Sequence, residues 1–159
     1  MPGEVTPHLS RTASTTDREA LALVSALNQP DVLRRPTREV LELGVRAVVY
    51  LCTACSFVGG VTGERALRQA LLDEGAESAT TTSGAAADAL RAVGARRIAV
   101  AHPYVTSVGE RLSTFLTESG FEVLASQGLG LQPAEISAVP YSRVCDLVRE
   151  SDGPAVARR

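Results

Sequence analysis

Short β-rich apolar runs alternate with helical patterns along this chain, and that alternation confines it to an α/β fold built on parallel strands. Val48-Val49-Tyr50-Leu51 is too short for a buried helix and lacks the polar alternation of a half-exposed strand. Arg97-Ile98-Ala99-Val100-Ala101 repeats the pattern, and Ser78-Ala79-Thr80-Thr81-Thr82 and Phe121-Glu122-Val123-Leu124 are weaker versions of it. Each run is followed by turn residues and then by helical spacing. A helix between two strands returns the chain to the same end of the sheet, so consecutive strands run parallel.

The expected elements follow in order. Thr15-Thr16-Asp17-Arg18-Glu19 opens a helix carrying Leu21, Leu23, Val24 and Leu27, and Asn28-Gln29-Pro30 stops it. A second helix over 37–43 ends at Gly44 and leads to a strand over 47–51. Thr62 caps a helix that ends near Glu74-Gly75; a strand over 78–82, a helix over 83–93 and Gly94 close the next unit. The strand over 97–101 ends at His102-Pro103-Tyr104, before a helix over 107–119. A strand over 121–124, a glycine-containing loop and a helix over 141–150 complete the series. The first 14 residues offer no apolar run for an opening strand, and after the last helix Pro154, Arg158 and Arg159 stand where the rhythm predicts another. The fold therefore reads as starting after its first strand and stopping before its last.

Composition removes several function classes. With 159 residues and 45% hydrophobic content, the chain can bury one core or parts of two small lobes. A net charge of −2 with scattered arginines gives no concentrated basic surface, so neither nucleic acid nor an anionic membrane is an expected partner. Met1-Pro2-Gly3-Glu4 lacks the features of a signal peptide, and there is no run of 18 apolar residues, which points to a cytoplasmic address. Three cysteines in such a setting are expected to be reduced thiols.

Cys52 is the candidate for chemistry. It stands where the 47–51 strand runs out, and Thr53-Ala54-Cys55-Ser56-Phe57-Val58-Gly59-Gly60 follows before helical spacing begins. At the carboxyl end of a parallel strand the chain opens into the crevice where α/β proteins bind ligands, and a following helix favours a thiolate. A free cysteine after a buried strand is more often a small packed hydrophobe. Cys52-Thr53-Ala54-Cys55 also has C-x-x-C spacing, but no second pair or His pair completes a zinc site, and the aromatic and proline context of thioredoxin-like motifs is absent. Gly59-Gly60-Val61-Thr62-Gly63 lacks the lysine of a phosphate loop and reads as turn chemistry. His102 beside a proline at a strand end is as often structural as it is an acid/base.

Three segments taken together resemble a known family: residues 51–60, then Thr80-Thr81-Thr82-Ser83-Gly84-Ala85-Ala86 with Leu90-Arg91-Ala92-Val93-Gly94, then residues 97–105 with Glu110-Arg111-Leu112. The ordered series, spread over roughly residues 38–150, resembles the maleate cis-trans isomerase and arylmalonate decarboxylase branch of the aspartate/glutamate racemase superfamily. The resemblance implies paired parallel-sheet lobes of Rossmann or flavodoxin type facing an active site, with no metal or organic cofactor. It implies two cysteines, one per lobe, acting on opposite faces of the substrate in isomerases and racemases; decarboxylases have glycine at the first position. Cys52 matches that first cysteine, so the resemblance implies a nucleophile or acid/base there and favours an isomerase or racemase over a decarboxylase. Thr53 and Ser56 match turn positions that hold a substrate carboxylate, Tyr104 matches a phenol that binds the same anion, and Thr82 and Ser83 are further hydroxyl-bearing candidates.

The departures from the family pattern shape the remaining expectations. The family's second cysteine belongs in a Ser-Cys strand end after the helix that here ends near Glu150, and Cys145 lies several residues too early, inside that helix. Gly109 stands where many relatives have asparagine, and Pro133 or a neighbour stands where isomerases have another. Residues 1–94 are expected to form a first lobe without its opening strand, and 95–159 the beginning of a second. The expected activity is cofactor-independent isomerisation of a small dicarboxylate through Cys52; the alternatives are arylmalonate decarboxylation or a catalytically impaired carboxylate-binding module. An open strand edge is expected to associate with a second copy or a complementary chain.

Overall fold

The computed structural model describes residues 5–151. The final residues, where the fold was expected to stop before its last strand, lie outside that range. Residues 5–18 precede the regular elements, which run α1 (Ala20–Ala26), α2 (Pro30–Leu41), β1 (Ala47–Tyr50), α3 (Thr53–Phe57), α4 (Gly60–Asp73), β2 (Ser78–Thr81), α5 (Thr82–Ala92), β3 (Arg97–Tyr104), α6 (Thr106–Glu118), β4 (Glu122–Leu131), a 3₁₀ helix (Pro133–Ala138) and α7 (Tyr141–Ser151). This is the expected mixed α/β fold with parallel strands. The strands form two separate two-stranded parallel sheets, β1 with β2 and β3 with β4. Tyr50 pairs with Thr81 at the carboxyl end of the first, and His102 pairs with Gly128 near the carboxyl end of the second.

Several element boundaries depart from the sequence reading. Pro30 does not merely end α1; it begins α2, seven residues ahead of the expected start at Thr37. Proline has no N–H to leave unbonded in a first turn and its φ is already helical, so the same residue serves as stop and start. Residues 53–57, expected as an open turn, form the one-turn helix α3. Gly60, at φ 68°, then lets the chain swing into α4 within three residues of Phe57, and a Cβ there would press to 2.5 Å from the Glu118 carboxylate. The glycine-containing loop after residue 124 is strand instead: β4 continues through Gly128 and Gly130 to Leu131. On β3, Pro103 falls at an irregularity between His102 and Tyr104, where a missing donor interrupts no regular ladder bond.

The core explains why these pieces stay together. Phe57 of α3, Leu67 and Leu71 of α4 and Val108 of α6 are almost wholly enclosed, and Val24, Leu33, Tyr50, Phe115, Leu116 and Phe121 belong to the same cluster. Each such burial contributes roughly 1.5–3 kcal/mol relative to exposure. Phe57 has no exposed surface. Placing it in the core pulls the short helix α3 inward, directly behind the end of β1. Polar contacts fix the periphery: the Glu19 carboxylate accepts from the Leu21 and Ala22 N–H groups at 3.0 and 2.7 Å, which holds its pKa below the usual carboxylate range and caps α1. Arg38 and Arg34 of α2 both bind Glu74 at the end of α4, lowering its pKa in the same way.

Candidate active site

β1 delivers Tyr50, Leu51 and Cys52 to the mouth of the first sheet. Tyr50 is buried, its hydroxyl donates to the Leu27 carbonyl at 3.0 Å, and burial pushes its pKa up to about 12. It is therefore an anchor and not an acid. Cys52 follows in extended conformation, φ −133° and ψ 104°, and its carbonyl accepts the Ser56 N–H at 3.1 Å to open α3. Cys52 is half-buried and lines a cavity of about 1040 Å³, enclosed by residues 5–14, α2 and β1.

Its sulfur is bonded to that of Cys55, which overturns the expectation of reduced thiols. The reason is local. One helical turn separates the two residues, their Cα atoms are 5.3 Å apart, and that separation lies inside the range a disulfide spans without backbone movement. Cys55 is 1% exposed, and its carbonyl accepts from the Asn28 side-chain amide at 2.6 Å. Sequence reasoning had the signal, the C-x-x-C spacing, but that spacing alone does not separate redox pairing from packing. Cys145 on α7 is the free cysteine, half-buried and remote in sequence.

The hydroxyls expected to hold substrate are distributed unequally. Ser56 is fully buried; its hydroxyl donates to the Thr53 carbonyl at 2.9 Å and meets the Ser83 hydroxyl at 2.7 Å. The Ser83 hydroxyl reaches the same Thr53 carbonyl at 3.0 Å, and the Thr82 hydroxyl donates to the Tyr50 carbonyl at 3.2 Å. These bonds lash the β1–α3 turn to the β2–α5 turn, so the carboxyl ends of both strands form one rigid rim. Below it, Thr81 is wholly enclosed: its hydroxyl donates to Glu64 at 2.9 Å and accepts the Gly84 N–H at 3.0 Å. Thr53 itself is exposed on the rim. Glu64, absent from the sequence reading, is a buried carboxylate serving as a brace.

Tyr104 and His102 belong to the second sheet. They lie on one face of β3 and stack with ring centroids 5.6 Å apart, and Tyr104 meets Phe57 edge-on at 5.5 Å. Both line a separate cavity of about 450 Å³ between α6 and β4, with Glu110, Ser113 and Ser126. The structure thus seats Cys52 and Tyr104 in different cavities, with the buried ring of Phe57 packed on Tyr104 from the core. His102 is 7% exposed because two glycines admit it: a Cβ at Gly109 would lie 2.5 Å from the imidazole and one at Gly128 2.4 Å. Gly109, a departure from the family pattern, is thereby explained by the ring that fills its space. His102 Nδ1 has no hydrogen-bond partner, and burial lowers the pKa of the ring, which favours neutral imidazole. Burial also raises the Tyr104 pKa, keeping the phenol a donor. Among the described residues no cluster of His, Cys, Asp or Glu could hold a metal ion, and no helix is long and apolar enough to cross a membrane.

The mixed α/β fold with parallel strands is the class of protein implied by the sequence resemblance. The family model for arylmalonate decarboxylase matches residues 26–156, and the chain belongs to that family. It is 34% identical over 101 residues to the arylmalonate decarboxylase of Bordetella bronchiseptica, covering 64% of this chain and 42% of that protein. It is 26% identical over 144 residues to the maleate isomerase of Nocardia farcinica, covering 87% of this chain and 55% of that protein. The chain spans about half the length of these curated relatives. A crystal structure of arylmalonate decarboxylase superposes with a TM-score of 0.73 at 28% identity, over 81% of this chain and 57% of that one. A Nocardia farcinica maleate cis-trans isomerase carrying a covalently bound succinylcysteine intermediate superposes with a TM-score of 0.79 at 24% identity, over 94% and 62%. The racemase-type fold is thus established.

Proposed function

We propose that the chain carries one face of a cofactor-independent isomerase-type site for a small dicarboxylate such as maleate, with Cys52, once reduced, as the nucleophile. The observation that supports this most is the placement of Cys52 at the end of β1, half-buried beside a rim whose hydroxyls are already fixed. The thiolate adds to one alkene carbon of maleate; the π electrons move to the other alkene carbon and onto the carboxylate it bears, and the enediolate is held by rim donors until rotation about the carbon–carbon bond and loss of the thiolate give the trans isomer. Thr53, exposed on the rim, contacts a carboxylate directly. Ser56, Ser83 and Thr82 hold the rim's shape, and Tyr104, which the family resemblance assigns to the same anion, stands in the neighbouring cavity on β3. In this reading residues 1–94 and 95–159 belong to two lobes, and a second copy or a complementary chain completes the opposite face. A cytoplasmic address suits the reduced thiol.

Decarboxylation of an arylmalonate is a second reading, favoured by the family match and the 34% identity to a decarboxylase. Cysteine at position 52, by the family resemblance, weighs toward isomerisation. One experiment separates them. The reduced chain is incubated with maleate or with phenylmalonate, then examined by peptide mass spectrometry and for released carbon dioxide. A maleate adduct on Cys52, absent in Cys52→Ser, supports the isomerase reading; carbon dioxide from phenylmalonate supports the decarboxylase. Neither signal from reduced, folded protein would defeat both.

A further inference from the structure

Cys55 has no role in that chemistry, yet it is the residue that closes on Cys52. Its sulfur lies at the enclosed side of the α3 turn, with the residue 1% exposed, while Cys52 is half-buried at the cavity mouth. A pair with one accessible and one enclosed member has a defined order of events: oxidant reaches Cys52 first, and Cys55 resolves the product. The backbone is already set for closure, since the Cα atoms are 5.3 Å apart. Asn28 pins the Cys55 carbonyl at 2.6 Å, and the Ser56–Ser83 bond of 2.7 Å pins the next residue, so the resolving sulfur is held in reach.

We propose that Cys52 and Cys55 form a reversible redox pair, with Cys55 as a resolving thiol that converts an oxidised Cys52 into a disulfide before the oxidation becomes irreversible. This rests on the reading of Cys52 as the nucleophile only for its effect on activity; the chemistry of the pair stands without it. With a peroxide as oxidant, the Cys52 thiolate attacks one peroxide oxygen, the O–O bond breaks, and Cys52 becomes a sulfenic acid as water forms after proton uptake. The Cys55 sulfur then attacks the Cys52 sulfur, the S–O bond breaks, and a second water leaves. The sum is two thiols and one peroxide giving one disulfide and two waters. A dithiol reductant reverses it: two thiols reform as the reductant closes to its own cyclic disulfide. In the oxidised state Cys52 holds no electron pair as thiolate, so addition to substrate stops.

The test uses the intact chain treated with hydrogen peroxide and then with dithiothreitol, read by peptide mapping without prior reduction and by iodoacetamide labelling. The expected result is loss of two hydrogen masses in a Cys52–Cys55 peptide, no label on Cys52 until dithiothreitol is added, and full recovery of label afterwards. In Cys55→Ser, and in Cys55→Ala should the serine variant fail to fold, the same peroxide dose leaves Cys52 with two or three added oxygens that dithiothreitol does not remove. Equal irreversible oxidation of Cys52 in wild type and variants would overturn the proposal, as would pairing of Cys52 with Cys145. A reversible pair in a protein that never forms a maleate adduct would defeat the proposed function and leave the redox pair standing.

Discussion

Tyr104 and His102 show how far single side chains decide what the second cavity does. If the phenol holds a carboxylate, Tyr104→Phe should weaken maleate binding by about 1–3 kcal/mol, the usual loss for a hydrogen bond to a charged group, as calorimetry on reduced protein would register. An unchanged affinity would remove Tyr104 from the site. His102 predicts a pH effect. Its folded pKa lies below the ordinary 6.5, so the unfolded chain takes up the proton more readily, and the stability linked to the neutral ring is present above 6.5 and lost as pH falls through the folded value. Urea midpoints should therefore fall as pH drops below 6.5, and His102→Gln should flatten that decline. The sequence named both residues, because a strand end followed by proline and helix is visible. It could not rank them, because the ring's burial depends on glycines 7 and 26 positions away, Gly109 and Gly128, which meet only in three dimensions.

The same dependence appears among the elements. The strands β1 and β3 were legible from their apolar runs, and so was the parallel direction, because helices separate them. The length of β4 was not. Glycine lowers strand propensity and made residues 125–131 look like loop, yet Gly128 is required within the strand so that His102 can lie against it. Alanine at Gly109 or Gly128 should accordingly cost about 1–3 kcal/mol of stability by forcing the imidazole from its place, measured by urea unfolding. Adding His102→Ala should recover most of the loss at Gly109, where a Cβ meets only the imidazole, and less at Gly128, where the Tyr104 carbonyl also lies 2.9 Å away; strict additivity at Gly109 would contradict the packing account. The one-turn helix α3 was hidden for another reason: five residues carry too little periodicity to reveal a helix, and what holds this one is Phe57 in the core and the serine bond to α5.

At the scale of the molecule, the outer surfaces are less complete than the core. β1 pairs with β2 on one side, and its other edge faces the cavity bordered by residues 5–14, with Val49 and Leu51 exposed beside it. On α7, Leu147 is buried while Tyr141, Val144 and Val148 form an exposed apolar row at helical spacing. Such edges and rows favour association. Sedimentation velocity should show a concentration-dependent shift above monomer for the isolated chain; a monomer at all concentrations would show that neither the β1 edge nor the α7 row drives association. The sequence conveyed the open edge through the missing apolar run but not the stretch of chain laid alongside it, since residues 5–18 carry no periodicity to read.

The corner between α1 and α2 sets a limit on how short this chain can be made. The Asn28 amide holds the Cys55 carbonyl, and Gly59 and Gly63 are bare so that its side chain can lie across the start of α4, where a Cβ on Gly59 would come within 2.3 Å of its oxygen. A fragment trimmed to begin at α2 loses that amide and leaves an empty slot over both glycines, with a buried carbonyl unpaired at a cost of about 1–3 kcal/mol. Asn28 is thus the keystone of an amino-terminal trimming series. Cuts that leave α1 intact should preserve the pairing geometry of Cys52 and Cys55, while cuts past Asn28 should loosen it.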